Sequence, residues 1–141
     1  MSPLVREYEV PGDDFARAGE ASGHIKSMLK ELGFAPAMIR RVAITTYEAE
    51  INMVIHADGG QAEVEVDADQ IVIRMEDTGP GIPDVEQAMQ EGFSTAGQTA
   101  RELGFGAGMG LPNMKKYSDE MDIQSTVGVG TTVTMVVKIP Q

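Results

Sequence analysis

Glu48 and Asn52 stand four residues apart within an apolar-periodic stretch, a spacing that puts both side chains on one face of a helix. A carboxylate and an amide are thereby aimed together. An Asn carbonyl can complete the oxygen shell of Mg²⁺ when phosphates supply the other ligands, and a neighbouring carboxylate can take a proton or orient a hydroxyl. Thr45 and His56 continue the same line. Taken alone, the pair also fits an ordinary solvated helix face, and His56 alone reads as a helix-end histidine rather than a metal ligand.

A second segment, Asp77-Thr78-Gly79-Pro80-Gly81-Ile82-Pro83, directly follows a strand-like run. It can be a plain turn. A carboxylate at a strand end, followed by glycines that permit close backbone approach, is also what a pocket needs to accept a hydrogen bond from the amino group of a flat heterocycle. The third segment is Gly104-Phe105-Gly106-Ala107-Gly108-Met109-Gly110-Leu111. Alternating glycines let successive N–H groups converge on an anion, and a helix N-terminus behind them adds partial positive charge. The run matches neither the Walker pattern nor the Rossmann fingerprint, because it lacks Gly-Lys-Ser/Thr and follows a long loop. A flexible hinge is the alternative. Thr131, after Gly128-Val129-Gly130, could add a hydroxyl to the same pocket, or simply open a strand.

The elements that must position these residues follow from periodicity. Residues 4–10 roughly alternate and close on Pro11-Gly12, predicting a strand. A helix capped by Asp13 or Asp14 should follow, with Ile25, Met28, Leu29 and Leu32 at spacings of three and four before Gly33 stops it. Pro36 opens a second helix whose apolar stripe reads Ile44, Tyr47, Ile51 and Val54 or Ile55, ending near Asp58-Gly59-Gly60. Residues 62–66 and 71–77 read as a hairpin. A glycine-dense loop with one short helix at about 84–90 precedes a helix from Leu111 to about Ser118, and residues 122–127 and 131–139 form two last strands. The order β-α-α-β-β-loop-α-β-β favours an α+β two-layer sandwich.

Composition narrows the partners. The 141 residues suit one domain. A formal charge of −11 makes nucleic acid and anionic membrane poor ligands. No cysteine is present, which removes thiolate zinc sites and cysteine nucleophiles. The amino terminus lacks a cationic region followed by an apolar run, so a cytoplasmic location is expected. The ten methionines suit core filling or an adaptable contact surface.

The joint order Glu48-x-x-x-Asn52, Asp77-x-Gly79-x-Gly81, Gly106-x-Gly108-x-Gly110 and Gly130-Thr131 resembles the GHKL (Bergerat-type) superfamily of ATPases and kinases. Within it, Asp77-Thr-Gly-Pro-Gly-Ile-Pro-Asp, Glu91-Gly-Phe-Ser-Thr95, Gly108-Met-Gly-Leu-Pro112 and Glu48-Ala-Glu-Ile-Asn52-Met-Val-Ile-His56 look most like the small bacterial anti-sigma factors and serine-protein kinases, the switch kinases in particular.

The resemblance implies a mixed, mostly antiparallel sheet covered on one face by helices, and one ATP-binding kinase domain over residues 1–141 with an ATP lid at about 84–107. It implies that Glu48 is the catalytic carboxylate and that Asn52 ligates Mg²⁺. Asp77 would accept from the adenine amino group, with Gly79, Gly81 and Ile82 shaping the adenine wall. Gly106, Gly108 and Gly110 would wrap the phosphates, and Thr131 would support the adenine side. The implied activity is ATP-dependent phosphorylation of a serine or threonine on a STAS-domain antagonist. The alternative is a nucleotide-switched anti-sigma factor that sequesters a sigma factor. The resemblance also raises a homodimer.

The stretch 96–103 is longer than the switch kinases lead one to expect, and Arg101 within it reads as a surface residue, with a γ-phosphate contact as the alternative. No helix with a phosphoacceptor histidine precedes the domain, which argues against a complete sensor kinase, and His24 reads as a helix-surface residue.

Overall fold

The computed structural model describes residues 3–11, 17–56, 59–79 and 110–140. Its elements run β1 (Leu4–Pro11), α1 (Glu20–Glu31), α2 (Pro36–His56), β2 (Gly59–Val66), β3 (Gln70–Asp77), α3 (Gly110–Tyr117), β4 (Glu120–Thr126) and β5 (Gly130–Lys138). The five strands form one sheet in the order β1-β2-β3-β5-β4, and each of these pairings is antiparallel.

Alternation sets the two faces. Ala62, Val64 and Val66 on β2 stand opposite Met75, Ile73 and Ile71 on β3, and all six are buried. Val133, Met135 and Val137 of β5 extend the same face across the sheet. Residues between them, such as Glu63, Arg74 and Thr134, lie on the opposite face and are half-buried or exposed. One side of the sheet is therefore covered and the other solvated, the usual division for an antiparallel sheet. The covering layer is α1, α2 and α3, which bring Ile25, Leu29, Val42, Val54 and Met114 into one core with the strands. Methionine is a filler here: Met38, Met53, Met75, Met114 and Met135 are all buried.

Two expectations about the helices change. The face α2 buries is Met38, Ile39, Val42, Thr45, Thr46, Ala49, Glu50, Met53 and Val54, with Ile51 buried beside it. Tyr47, assigned to the apolar stripe, is 40% exposed. The buried threonines satisfy themselves within the helix, since Thr45 Oγ1 and Thr46 Oγ1 both donate to the carbonyl of Val42, at 3.0 and 2.8 Å. A pattern search that scores only apolar residues misses such a face.

The start of α1 also differs. Asp13 and Asp14 lie outside the described residues, and the helix itself begins at Glu20, with Gly19 at the N-cap in the left-handed region. Gly19 has no side chain to cap with. Its place is taken by Glu50 of α2, whose carboxylate accepts from the amides of Gly19 (3.0 Å), Ala21 (3.1 Å) and Ser22 (2.9 Å). Three orphan donors of a helix start are thus answered by one carboxylate from a neighbouring helix. At the other end α1 stops at Gly33, as its sequence requires, with Gly33 at φ 83° and its amide bonded to Lys30 O at 3.1 Å.

The C-terminal end of α3 is fastened as well. Arg41 Nε donates to Tyr117 O at 3.2 Å, and its Nη2 pairs with Asp119 at 3.1 Å. The Lys138 amide, bonded to Asp119 at 2.6 Å, and then Arg41 hold the Asp119 carboxyl below its usual pKa. His24 is exposed, as expected, and stacks on Tyr8 with ring centroids 5.7 Å apart.

Candidate nucleotide site

The residues singled out for a nucleotide lie on the second half of α2, the end of β3, the start of β5 and the start of α3. Glu48 and Asn52 are both half-buried, each flanking a residue of the buried face, Ala49 and Met53. Glu48 Oε1 accepts from Asn113 Nδ2 at 3.3 Å. Asn113 lies three residues beyond Gly110, the first residue of α3, so this bond ties the carboxylate to the helix that opens behind the glycine-rich run. Thr45, placed by its spacing in line with Glu48 and Asn52, is instead fully buried with its hydroxyl bonded inside the helix. His56 ends α2.

Asp77 closes β3 at the point where the chain leaves the sheet, and it is hemmed in by main chain from both neighbouring strands. Gly60 faces it from β2. A Cβ on Gly60 would stand 2.8 Å from both Asp77 Cα and the terminal methyl of Met53 and would strike the carbonyl of Glu76. On the other side, a Cβ on Gly130 would strike the Asp77 carbonyl oxygen and lie 3.3 Å from Thr78 Cα. Both positions need glycine for close approach. The contact through Gly60 also brings Met53, the neighbour of Asn52, over the Asp77 end of β3.

The Asp77 carboxylate accepts the amide of Thr131 at 3.0 Å. Burial pushes its pKa up, and the amides of Thr131 and Gly79 pull in the opposite direction without cancelling the rise. Thr131 therefore meets Asp77 through its backbone. Its hydroxyl is 2.8 Å from Ser125 Oγ on the paired strand. Tyr47, beside Glu48, has its phenol pKa raised by burial first and by the negative charges of Glu48 and Glu50 second.

The structure thus brings Asp77 to Thr131 and Gly79, and Glu48 to the start of α3. Gly81, Ile82, Gly106, Gly108, Arg101 and the span 84–107 lie outside the described residues. Sequence reasoning passed over three contributors. Asn113 and Gly60 carried no separate signal. Glu50, which lies behind the site and anchors α1, did: Glu48 and Glu50 point to nearly opposite sides of the helix, so placing Glu48 at a site turns Glu50 towards neighbouring structure, where it needs donors. Among the described residues no cluster of three or more His, Cys, Asp or Glu side chains could hold a metal ion, and no helix is long and apolar enough to cross a membrane.

Residues 39–141 match the family of histidine kinase-, DNA gyrase B-, and HSP90-like ATPases, a span that takes in every element of the site. The chain belongs to this family. Its five-stranded antiparallel sheet under one layer of helices is the α+β ATP-binding fold expected of that membership. Among curated relatives, the chain is 37% identical over 112 residues to the serine/threonine-protein kinase RsbT of Bacillus subtilis, covering 77% of this chain and 78% of that protein. It is 38% identical over 99 residues to the anti-sigma F factor of Pasteuria penetrans, covering 65% and 63% of the two chains. It is 32% identical over 103 residues to the anti-sigma F factor of Clostridium beijerinckii, covering 69% and 68%.

Proposed function

We propose that this protein binds ATP and transfers its γ-phosphoryl group to a serine or threonine hydroxyl on a small regulatory protein of STAS type, in a bacterial partner-switching pathway in the cytoplasm. The observation that carries the reading is the Asn113–Glu48 hydrogen bond, which sets a half-buried carboxylate beside the helix that opens behind the glycine-rich run. A phosphate gathered by that run and by the N-terminus of α3 would lie next to Glu48.

In this reading residues 1–141 act as one ATP-binding domain with residues 84–107 as its lid. Asp77 accepts a hydrogen bond from the adenine amino group and is itself held in place by the Thr131 amide. Gly79, Gly81 and Ile82 form the wall against the base. The amides of Gly106, Gly108 and Gly110 hold the phosphate oxygens. Asn52, a hard oxygen donor one helical turn beyond Glu48, fits Mg²⁺ that has phosphate oxygens as its other ligands. When bound, that ion neutralises charge on the β- and γ-phosphates. Glu48 takes the proton of the acceptor hydroxyl as its oxygen bonds to the γ-phosphorus, and the bond to the bridging oxygen of ADP breaks. Positioning and charge neutralisation, rather than covalent chemistry by the protein, lower the barrier.

The relative named as a serine/threonine-protein kinase supports this reading. The relatives named anti-sigma F factors favour a second one, in which the nucleotide switches the protein between holding and releasing a sigma factor, with little or no transfer. The test is to incubate the purified protein with Mg-ATP labelled at the γ position and a short STAS protein carrying an acceptor serine. Label on the STAS protein is the expected result. ATP-dependent capture of a sigma factor, with no label on any STAS protein, would replace the first reading by the second.

A further inference from the structure

Helices α1 and α2 leave a solvent-open groove between them with a volume of about 790 Å³. The helices run antiparallel: Glu50 reaches the start of α1, while residues 32–35 link the end of α1 directly to the start of α2. The groove consequently has two ends of different character. Lys30 and Arg40 lie towards the linked end, Lys26 lies about one turn along α1, and Glu48 stands at the far end beside Gly19. Phe34 and Ile39 at the linked end, and Ile44 and Tyr47 farther along α2, supply an apolar lining.

The charges here run against those of the molecule. The chain carries 22 acidic and 11 basic side chains, yet three of those 11 line this one groove. Lys26, Lys30 and Arg40 are all exposed, and none is ion-paired with another described residue. An acidic partner is repelled by the molecule as a whole and attracted here, so the contrast in potential selects both the partner's charge and its place of contact.

We propose that this groove docks an acidic amphipathic helix of the phosphoryl-acceptor protein. Its carboxylates would face Lys26, Lys30 and Arg40, and its apolar side would lie on Phe34, Ile39, Ile44 and Tyr47. A groove between two helices receives a third by this helix-in-groove mode. The 12-residue α1 is about 18 Å long, which matches an occupant of roughly three turns. A carboxylate at the far end would be repelled by Glu48, whereas an uncharged hydroxyl would not. The occupant is therefore oriented with its acidic end at the linked end and its serine or threonine towards Glu48. In this last respect the inference rests on the phosphotransfer reading given above.

The test uses the full chain and two fluorescein-labelled helical peptides of about 14 residues. One has Leu at helical spacing, Glu towards one end and a Ser at the other; its counterpart has Lys in place of every Glu. Fluorescence anisotropy is read without nucleotide, and uptake of a fluorescent ATP analogue is measured separately. The acidic peptide should bind the unaltered protein and the Lys peptide should not. K26E/K30E/R40E should weaken the acidic peptide about tenfold or more and admit the Lys peptide. K26Q/K30Q/R40Q should weaken the acidic peptide without admitting the other, and both variants should take up the ATP analogue normally. Failure of the acidic peptide to bind the unaltered protein, or equal binding to all three proteins, overturns the proposal. Failure of the unaltered protein to take up the ATP analogue would sink the phosphotransfer reading and leave the peptide result to judge the groove on its own.

Discussion

The carboxylate of Glu50 accepts the backbone amide of Ser22 at 2.9 Å across 28 residues of sequence, and the same side chain takes the amides of Gly19 and Ala21. Glu50 is 1% exposed. Glu50→Ala leaves three donors at the start of α1 without their acceptor. It should lower stability to urea by about 3 kcal/mol, whereas Glu48→Ala, two residues away and half-buried, should change it by about 1 kcal/mol or less. Equal unfolding midpoints for the two variants would show that Glu50 does not anchor α1.

Glu48→Gln keeps the shape of the side chain and can still pair with Asn113, but it cannot take a proton. ATP uptake should stay within about twofold of the unaltered protein while transfer to a STAS acceptor falls about 10²-fold. Single-turnover transfer from labelled ATP separates the two quantities. Unimpaired transfer would remove Glu48 from the reaction.

Asp77→Asn replaces the acceptor for the adenine amino group by an amide and should abolish detectable ATP uptake. Its effect on stability has the opposite sign. Burial raises the pKa of Asp77 in the folded protein, so folding favours the protonated form. The fold is then unpenalised at pH values below the usual carboxylate value and loses stability as pH rises through the elevated folded value. The Asn variant does not follow that change. Compared with the variant, the unaltered protein should be relatively most stable in acid and lose ground as the pH is raised towards neutrality. Parallel unfolding curves across this range would contradict the assignment.

Two glycines should respond to alanine in opposite ways. Gly23 is exposed within α1 and an added Cβ meets nothing within 4 Å, so Gly23→Ala should stabilise by about 0.5–1 kcal/mol. Gly60→Ala drives a Cβ into β3 at Asp77 and should cost about 1–3 kcal/mol together with a loss of nucleotide affinity. Urea titration and an ATP-binding isotherm on each variant check both signs.

The strands were legible because the pleat has a simple period: Ala62, Val64 and Val66 alternate with polar residues and pair with Met75, Ile73 and Ile71. The stop of α1 was legible because Gly33 is a local device. Its start was not, since the acceptor for its amides comes from Glu50, and a capping rule that looks only at adjacent residues selects Asp13 or Asp14. The buried face of α2 was misread for a related reason: Thr45, Thr46 and Glu50 are polar residues whose hydrogen bonds let them lie inside. At the candidate site, the family resemblance set Thr131 on the side of Asp77, but it meets Asp77 through its backbone amide while its hydroxyl goes to Ser125, a detail set by strand pairing. The Asn113 contact to Glu48 depends on how two helices pack, which no spacing encodes.

Asp77 is fixed almost entirely by polypeptide backbone: bare glycine on each flanking strand and an amide from Thr131. Scaffolding of this kind is indifferent to most changes of residue type nearby. Core neighbours can drift in size over evolutionary time and leave the carboxylate where it is, provided the two flanking positions never acquire a side chain. Tolerance around this point and intolerance at Gly60 and Gly130 are thus two sides of one arrangement.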